Sequence, residues 1–281
     1  MKLFRFGPRG SEKPGIQVRE KHYDISPFIG DYHEEFFSAN GIEKLNKIVQ
    51  EHLHELVEIP GAFRFAPVIH KPGKIICIGL NFRDHAIETN SPIPVEPIVF
   101  FKATTAVCGP NDDLILPRNH TKADWEVELA VVIGKKASYV EEAAAYECIA
   151  GYTLHNDYSE RAFQLERGGQ WVKGKSCDTF APIGPYLVTP DEIPDVNNLG
   201  MWLNVNGQTM QDSNTAQMIF KVPFLIHYLS QFMTLMPGDI ISTGTPPGVG
   251  MGFKPPVFLK KGDFVELGIE GLGSSSQNVT E

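Results

Sequence analysis

Two glutamates stand one residue apart in KADWEVELAVVIG, the stretch from Lys122 to Gly134. Side chains alternate along a strand, so Glu126 and Glu128 share a face while Trp125, Val127 and Leu129 point the other way. Carboxylates this close repel unless a cation or solvent screens them. The same face continues as Ala130 and Val132, so the strand enters a covered region just past the acids. A pair at such a threshold suits a hard divalent cation, which takes oxygen donors. The competing reading is a half-exposed strand with a polar outer face.

A metal needs further ligands, and IAGYTLHNDYSERAFQLERGGQW offers Asp157 where a β-like run ends. Asp157-Tyr158-Ser159-Glu160 also reads as a capping box, which would give Asp157 a local role instead. Arg161 and Gln164, three apart, share a helical face near the same end. With the carboxylate they suit an anionic, carbonyl-rich substrate; a solvated helix face is the alternative. In GLNFRDHAIE the spacing of His85 and Glu88 allows a hydrogen-bonded pair that holds the imidazole as a general base, or an exposed polar turn. The glycine-rich STGTPPGVGMG follows a β run. It would let backbone amides and the Thr245 hydroxyl approach a carboxylate, or else form a tight turn.

One motif points elsewhere. GQWVKGKS, Gly169 to Ser176, fits GxxxxGK[ST] letter for letter, the signature of a P-loop nucleotide hydrolase. That motif works between a strand and a helix whose N-terminus receives phosphate. Here the preceding residues look helical, and CDTFAPIGP after it carries Pro182 and Pro185 with no helical stripe. Lys173 and Lys175 remain as cations near the acidic cluster, or as surface lysines.

The elements that must position these residues show a change of texture along the chain. Residues 1–70 read as a small N-terminal α+β domain with a β-like LFRF and one helix from Gly41 to Leu56. Ile42, Leu45, Val49, Leu53 and Leu56 form its stripe, and Asn40 with Glu43 caps it. Residues 71–281 carry short β-rich runs (KIICIGL, PIVFFKA, DLILP, ELAVVIG, IAGYTL, MWLNVNG, GDIIST, FVELGI) punctuated by Gly, Pro, Asn and Asp. The expected class is α+β, mostly β. The terminal GLGSSSQNVTE is expected to be loose.

With 281 residues, 42% of them hydrophobic, the chain can bury a sizeable core. No apolar run approaches the roughly 20 residues that cross a bilayer. The start MKLFRFGPRG lacks the charged-then-apolar pattern of a signal peptide, so a cytoplasmic protein is expected. Cys77, Cys108, Cys148 and Cys177 form no CxxC pair and read as buried thiols. A net charge of -9 argues against nucleic-acid binding.

Together these pieces resemble the fumarylacetoacetate hydrolase family from about Lys74 to Gly273. In order they are GLNFRDHAIE, PIVFFK, the ExE of DWEVELAVVIG, NDYSERAFQ, KGKSCDTF, PGDIISTGTPPGVG and KKGDFVELGIEGLG. The resemblance implies a mixed β-sandwich roll with a small N-terminal domain, usually dimeric. It implies Glu126, Glu128 and Asp157 as ligands of Mg²⁺ or Mn²⁺, and Arg161, Gln164, Gly244 and Thr245 as substrate-binding. Lys175 matches the family's active-site lysine, and His85 with Glu88 matches a dyad on a lid that orders over ligand. Larger members place a fourth carboxylate where this chain has Ile78, and small acylpyruvase-like members often have Arg where it has Leu80. The N-terminal segment and GVGMGFKPPVFLKKGD resemble bacterial members assigned to sugar-acid or ureidoglycolate breakdown.

The chemistry this implies is hydrolysis of a C–C bond in a 2,4-dioxo acid. A 2-oxo acid chelates the cation through its keto oxygen and carboxylate, and cleavage expels a pyruvate enolate whose charge the metal stabilises. His85, oriented by Glu88, would deprotonate water, with Lys175 and Gln164 stabilising the oxyanion. A lyase, decarboxylase or isomerase acting on a related 2-oxo acid or ureidoglycolate shares that core. A P-loop nucleotide hydrolase and a non-catalytic binding protein are the readings from other classes.

Overall fold

The computed structural model describes residues 1–84 and 92–281, and in it the apolar half of the opening motif is the strand Val127–Ile133, buried along all seven residues. A strand covered on both faces tolerates a continuous apolar run, and VELAVVI has one after its glutamate. The half-exposed, polar-faced strand is therefore overturned: Glu128 lies inside the molecule.

The neighbours of this strand explain the covering. It pairs antiparallel with Ile149–Asn156 on one side, Leu129 opposite Leu154. On the other it pairs with Ile240–Ser242, Val131 opposite Ile241. Ile75–Gly79 follows, parallel to Ile240–Ser242, and Ile98–Lys102 closes that edge. In the opposite direction the sheet runs through Leu187–Val188 to Lys2–Phe6, Lys13–Val18, Lys21–Asp24 and Val57–Glu58. Strands from the first 70 residues thus extend the same sheet, through Leu3 opposite Leu187.

A second sheet of five strands packs across the first. Its order is Gln208–Asn214, Gly200–Val205, Phe264–Ile269, Gly273–Thr280 and Leu114–Ile115. Gly200–Val205 and Phe264–Ile269 contact Val127–Ile133, and Leu129, Val131, Leu203 and Leu267 belong to one buried cluster. The architecture is the mostly β, α+β sandwich expected, and the apolar runs KIICIGL, PIVFFKA, ELAVVIG, IAGYTL and FVELGI all form strands. No helix among the described residues is long and apolar enough to cross a membrane.

Three local expectations are corrected. The helix is Gly41–His52, with a 3-10 turn at Leu53–Glu55, and Asn40 makes no side-chain cap. Asn40 sits at φ 58, left-handed rather than the extended conformation from which a cap side chain reaches back. Leu45 and Leu56 of the stripe are buried, whereas Leu53 is exposed. The terminal GSSSQNVT is a strand, paired antiparallel with Phe264–Ile269 and parallel with Leu114–Ile115. Its buried Gln277 accepts from the Tyr158 hydroxyl at 2.7 Å, which is how a polar segment joins a core without an unpaired group. The cysteines are free, Cys77, Cys108 and Cys148 buried and Cys177 half-buried.

Candidate active site

Antiparallel pairing of two strands builds the acidic centre. Val127 lies opposite Asn156 and Glu128 opposite His155. Glu126, just before one strand, is thereby brought beside Asp157, just after the other. One carboxylate oxygen from each of Glu126, Glu128 and Asp157 falls within 4.8 Å of the others, and all three residues are buried. The two glutamates and the aspartate proposed from sequence do come together.

Each carboxylate has its own support. Glu128 Oε2 accepts from the Ser242 hydroxyl at 2.5 Å and the Gly244 amide at 3.0 Å. Ser242 Oγ is also 2.6 Å from His155 Nδ1. Asp157 is bound by Lys102 through Oδ1 and by Lys175 through Oδ2, the latter at 2.9 Å. Lys175 Nζ reaches Glu126 Oε2 at 2.7 Å, and Arg161 Nη2 reaches Glu126 Oε1 at 2.6 Å. Arg161 continues to Asp124 Oδ2 through Nε at 2.8 Å and to Gln164 Oε1 through Nη1 at 3.0 Å. Asp124 accepts further from the amides of Trp125, Gly250 and Met251.

Four buried carboxylates thus face three buried cations, Lys102, Arg161 and Lys175. The surplus falls on Glu128: burial, then the charges of Asp157 and Glu126, push its carboxyl well above the usual range. Burial also works to raise Asp157, but Lys102 and Lys175 outweigh it and hold that carboxyl low. Burial opposes the charge on Lys175, and Asp157 with Glu126 overcomes it, so the ammonium is held more firmly than in water. His155, buried, is pushed down to about 3 and stays neutral.

Asp157 does not cap a helix. Glu160 takes that role for Arg161–Leu165, accepting from the Phe163 amide at 2.6 Å, and also accepts from the Thr121 and Lys122 amides. The P-loop reading fails on context and on charge. Val172–Lys175 is a helical turn preceded by the helix Arg161–Leu165 and not by a strand. Lys175 is spent on carboxylates.

Above the acids lies a cavity of about 270 Å³, small-molecule size. Glu126, Glu128, Arg161, Gln164, Lys175 and Thr245 line it, with apolar residues completing the wall. The Thr245 hydroxyl donates to Val127 O at 3.0 Å and accepts from Gln211 Nε2 at 2.9 Å. Gly244 stands at φ +98, where a Cβ would meet Asn81 Cβ at 2.8 Å. His85 and Glu88 lie outside the described residues. Reasoning from sequence missed Lys102, Asp124, Ser242 and His155; a lysine ending the apolar PIVFFK and a serine inside GDIIST were the available signals.

The donor set fits a divalent cation: three converging oxygens, and a repelling carboxyl on Glu128 that such a charge would relieve. Comparison with known proteins agrees with the geometry. Residues 74–280 match the family described as fumarylacetoacetate (FAA) hydrolase C-terminal. The chain belongs to the fumarylacetoacetate hydrolase family. Within the family, it is 51% identical to a provisionally named hydrolase of Burkholderia cenocepacia over 99% of this chain and 98% of the relative. Maleylpyruvate hydrolase from Sphingobium sp. SYK-6, solved with manganese(II) and pyruvate, superposes with a TM-score of 0.83 at 29% identity, covering 100% of this chain and 99% of that one. A 5-carboxymethyl-2-hydroxymuconate delta-isomerase from Mycobacterium smegmatis gives 0.78 at 32% identity, covering 100% and 98%. The fumarylacetoacetate hydrolase family thus joins this fold to both hydrolases and isomerases of oxo acids.

Proposed function

We propose that the protein is a divalent-metal-dependent hydrolase that splits the C3–C4 bond of a 2,4-dioxo acid into pyruvate and a carboxylic acid. The observation that carries this reading is the convergence of Glu126, Glu128 and Asp157, two of which, Glu126 and Glu128, line a small-molecule cavity. The manganese and pyruvate of the Sphingobium relative support it. The three carboxylates would hold Mg²⁺ or Mn²⁺, which supplies Lewis-acid binding for the keto oxygen and carboxylate of a 2-oxo acid and for the charge of the departing pyruvate half.

The side chains divide the remaining work. Lys175 and Arg161 hold the two oxygens of Glu126, while Ser242 and Gly244 hold Glu128, so the ligands are oriented before anything binds. Gln164 Oε1 is taken by Arg161, which leaves Gln164 to offer N–H donors to the C4 oxygen. Lys175 adds positive charge where that oxygen turns negative. Thr245 has its proton committed to Val127 O and shapes the wall. His85, oriented by Glu88, is assigned the water proton. Water oxygen bonds to C4, the C3–C4 electron pair passes to C3, and C3 takes up a proton to give pyruvate.

The Mycobacterium smegmatis relative favours a second reading, isomerisation of an unsaturated oxo acid with no water added. The test is a panel of acylpyruvates incubated with Mg²⁺, Mn²⁺ or EDTA and assayed for pyruvate. Metal-dependent pyruvate release is expected. An enzyme-dependent ultraviolet change without pyruvate on an unsaturated oxo acid added to the panel supports the isomerase, and equal release in EDTA overturns the metal-dependent reading.

A further inference from the structure

We propose that the substrate of this cavity carries one carboxylate, at its 2-oxo end, and an apolar group at the other end in place of a second carboxylate. The inference rests on the 2-oxo acid reading above and sharpens its substrate class.

Away from the acids, the cavity wall is Leu80, Phe100, Leu165, Trp171 and Met251. This wall is built. A Cβ at Gly79 would come within 2.7 Å of Trp171 Cζ3, so the glycine is what admits the indole. Phe100 meets Trp171 edge-on, with ring centroids 5.3 Å apart. Leu165 and Met251 are exposed at the rim, apolar surface that a ligand of like character would cover.

The cations that line the cavity are already engaged. Arg161 bonds Asp124, Glu126 and Gln164, and Lys175 bonds Glu126 and Asp157. Among the described residues lining the cavity, none offers an unpaired cation to a second carboxylate. The charge balance agrees. Four carboxylates against three cations leave one negative charge, a divalent cation turns that into one positive charge, and a single carboxylate neutralises it. A second one would be desolvated without a partner.

The test uses the intact protein and two 2-oxo acids with no C4 carbonyl, so that binding is read independently of C–C cleavage. Titration calorimetry, with Mn²⁺ present and absent, compares 2-oxo-4-phenylbutanoate with 2-oxoadipate. The apolar ligand is expected to bind at least about tenfold more tightly, the scale on which a pocket discriminates apolar from unmatched groups. Trp171→Ala should weaken the phenyl ligand and spare 2-oxoadipate, and Leu165→Arg should narrow the ratio. Equal or tighter binding of 2-oxoadipate by the wild type overturns the inference while the hydrolase reading stands. Failure of both ligands to bind overturns the 2-oxo acid reading and this inference with it. Poor acylpyruvate hydrolysis with the expected binding ratio counts against the hydrolase reading alone.

Discussion

Lys175 Nζ lies 2.7 Å from Glu126 Oε2, and the same ammonium reaches Asp157 at 2.9 Å. One buried lysine therefore holds two of the three proposed metal ligands toward each other. Substituting Lys175→Met leaves those carboxylates short of a counter-charge, and breaking a buried pair costs about 3–5 kcal/mol. Thermal unfolding of this variant should fall sharply without metal, and Mn²⁺ should restore much of the loss. A variant as stable as wild type in EDTA would remove the lysine from this role.

Ser242 supplies the 2.5 Å hydrogen bond to Glu128 and is held in turn by His155. Ser242→Ala removes a ligand's support without touching the ligand. Loss of such outer partners typically weakens metal binding by about 10–100-fold. Calorimetric Mn²⁺ titration of the variant should show a fall on that scale, and an unchanged affinity would mean the hydroxyl does not orient Glu128.

Gly244 donates its amide to the same oxygen of Glu128 from a left-handed conformation at φ +98. An alanine there meets Asn81 Cβ at 2.8 Å and Ile78 O at 3.0 Å. Strain of this kind costs about 1–3 kcal/mol. Urea denaturation of Gly244→Ala should show that loss, with Mn²⁺ affinity falling alongside as the amide shifts.

Metal affinity should rise with pH. The Glu128 carboxyl is raised, by burial first and by Asp157 and Glu126 next, so below its pKa it carries a proton that a cation must displace. Affinity then falls by up to about tenfold for each pH unit of acidification, and levels off above that pKa. Mn²⁺ titrations across a pH series check the slope, and Glu128→Gln should flatten it while weakening binding. A pH-independent affinity in the wild type would contradict this account of Glu128.

Much of the fold was legible because its strands are short β-branched and apolar runs bounded by Gly and Pro, as in KIICIGL and ELAVVIG. The polar terminal strand Gly273–Thr280 was not, since its order comes from partners on both edges and from no pattern of its own. The acids were legible by type and spacing. Their cations were harder. Lys102 reaches Asp157 because Ile98–Lys102 closes one edge of the sheet, and strand order is invisible in a sequence. Asp157 itself carried two local meanings, cap or ligand. Only the folded chain, with Glu160 on the helix amides, separates them.

The central claim is that Glu126, Glu128 and Asp157 hold a divalent cation. An anomalous difference map from crystals grown with Mn²⁺ tests it most directly. The account predicts one strong peak bounded by those three carboxylates, lost in Glu128→Gln. A map with no peak there, and with Lys175 still bridging Glu126 and Asp157 at saturating Mn²⁺, would contradict it.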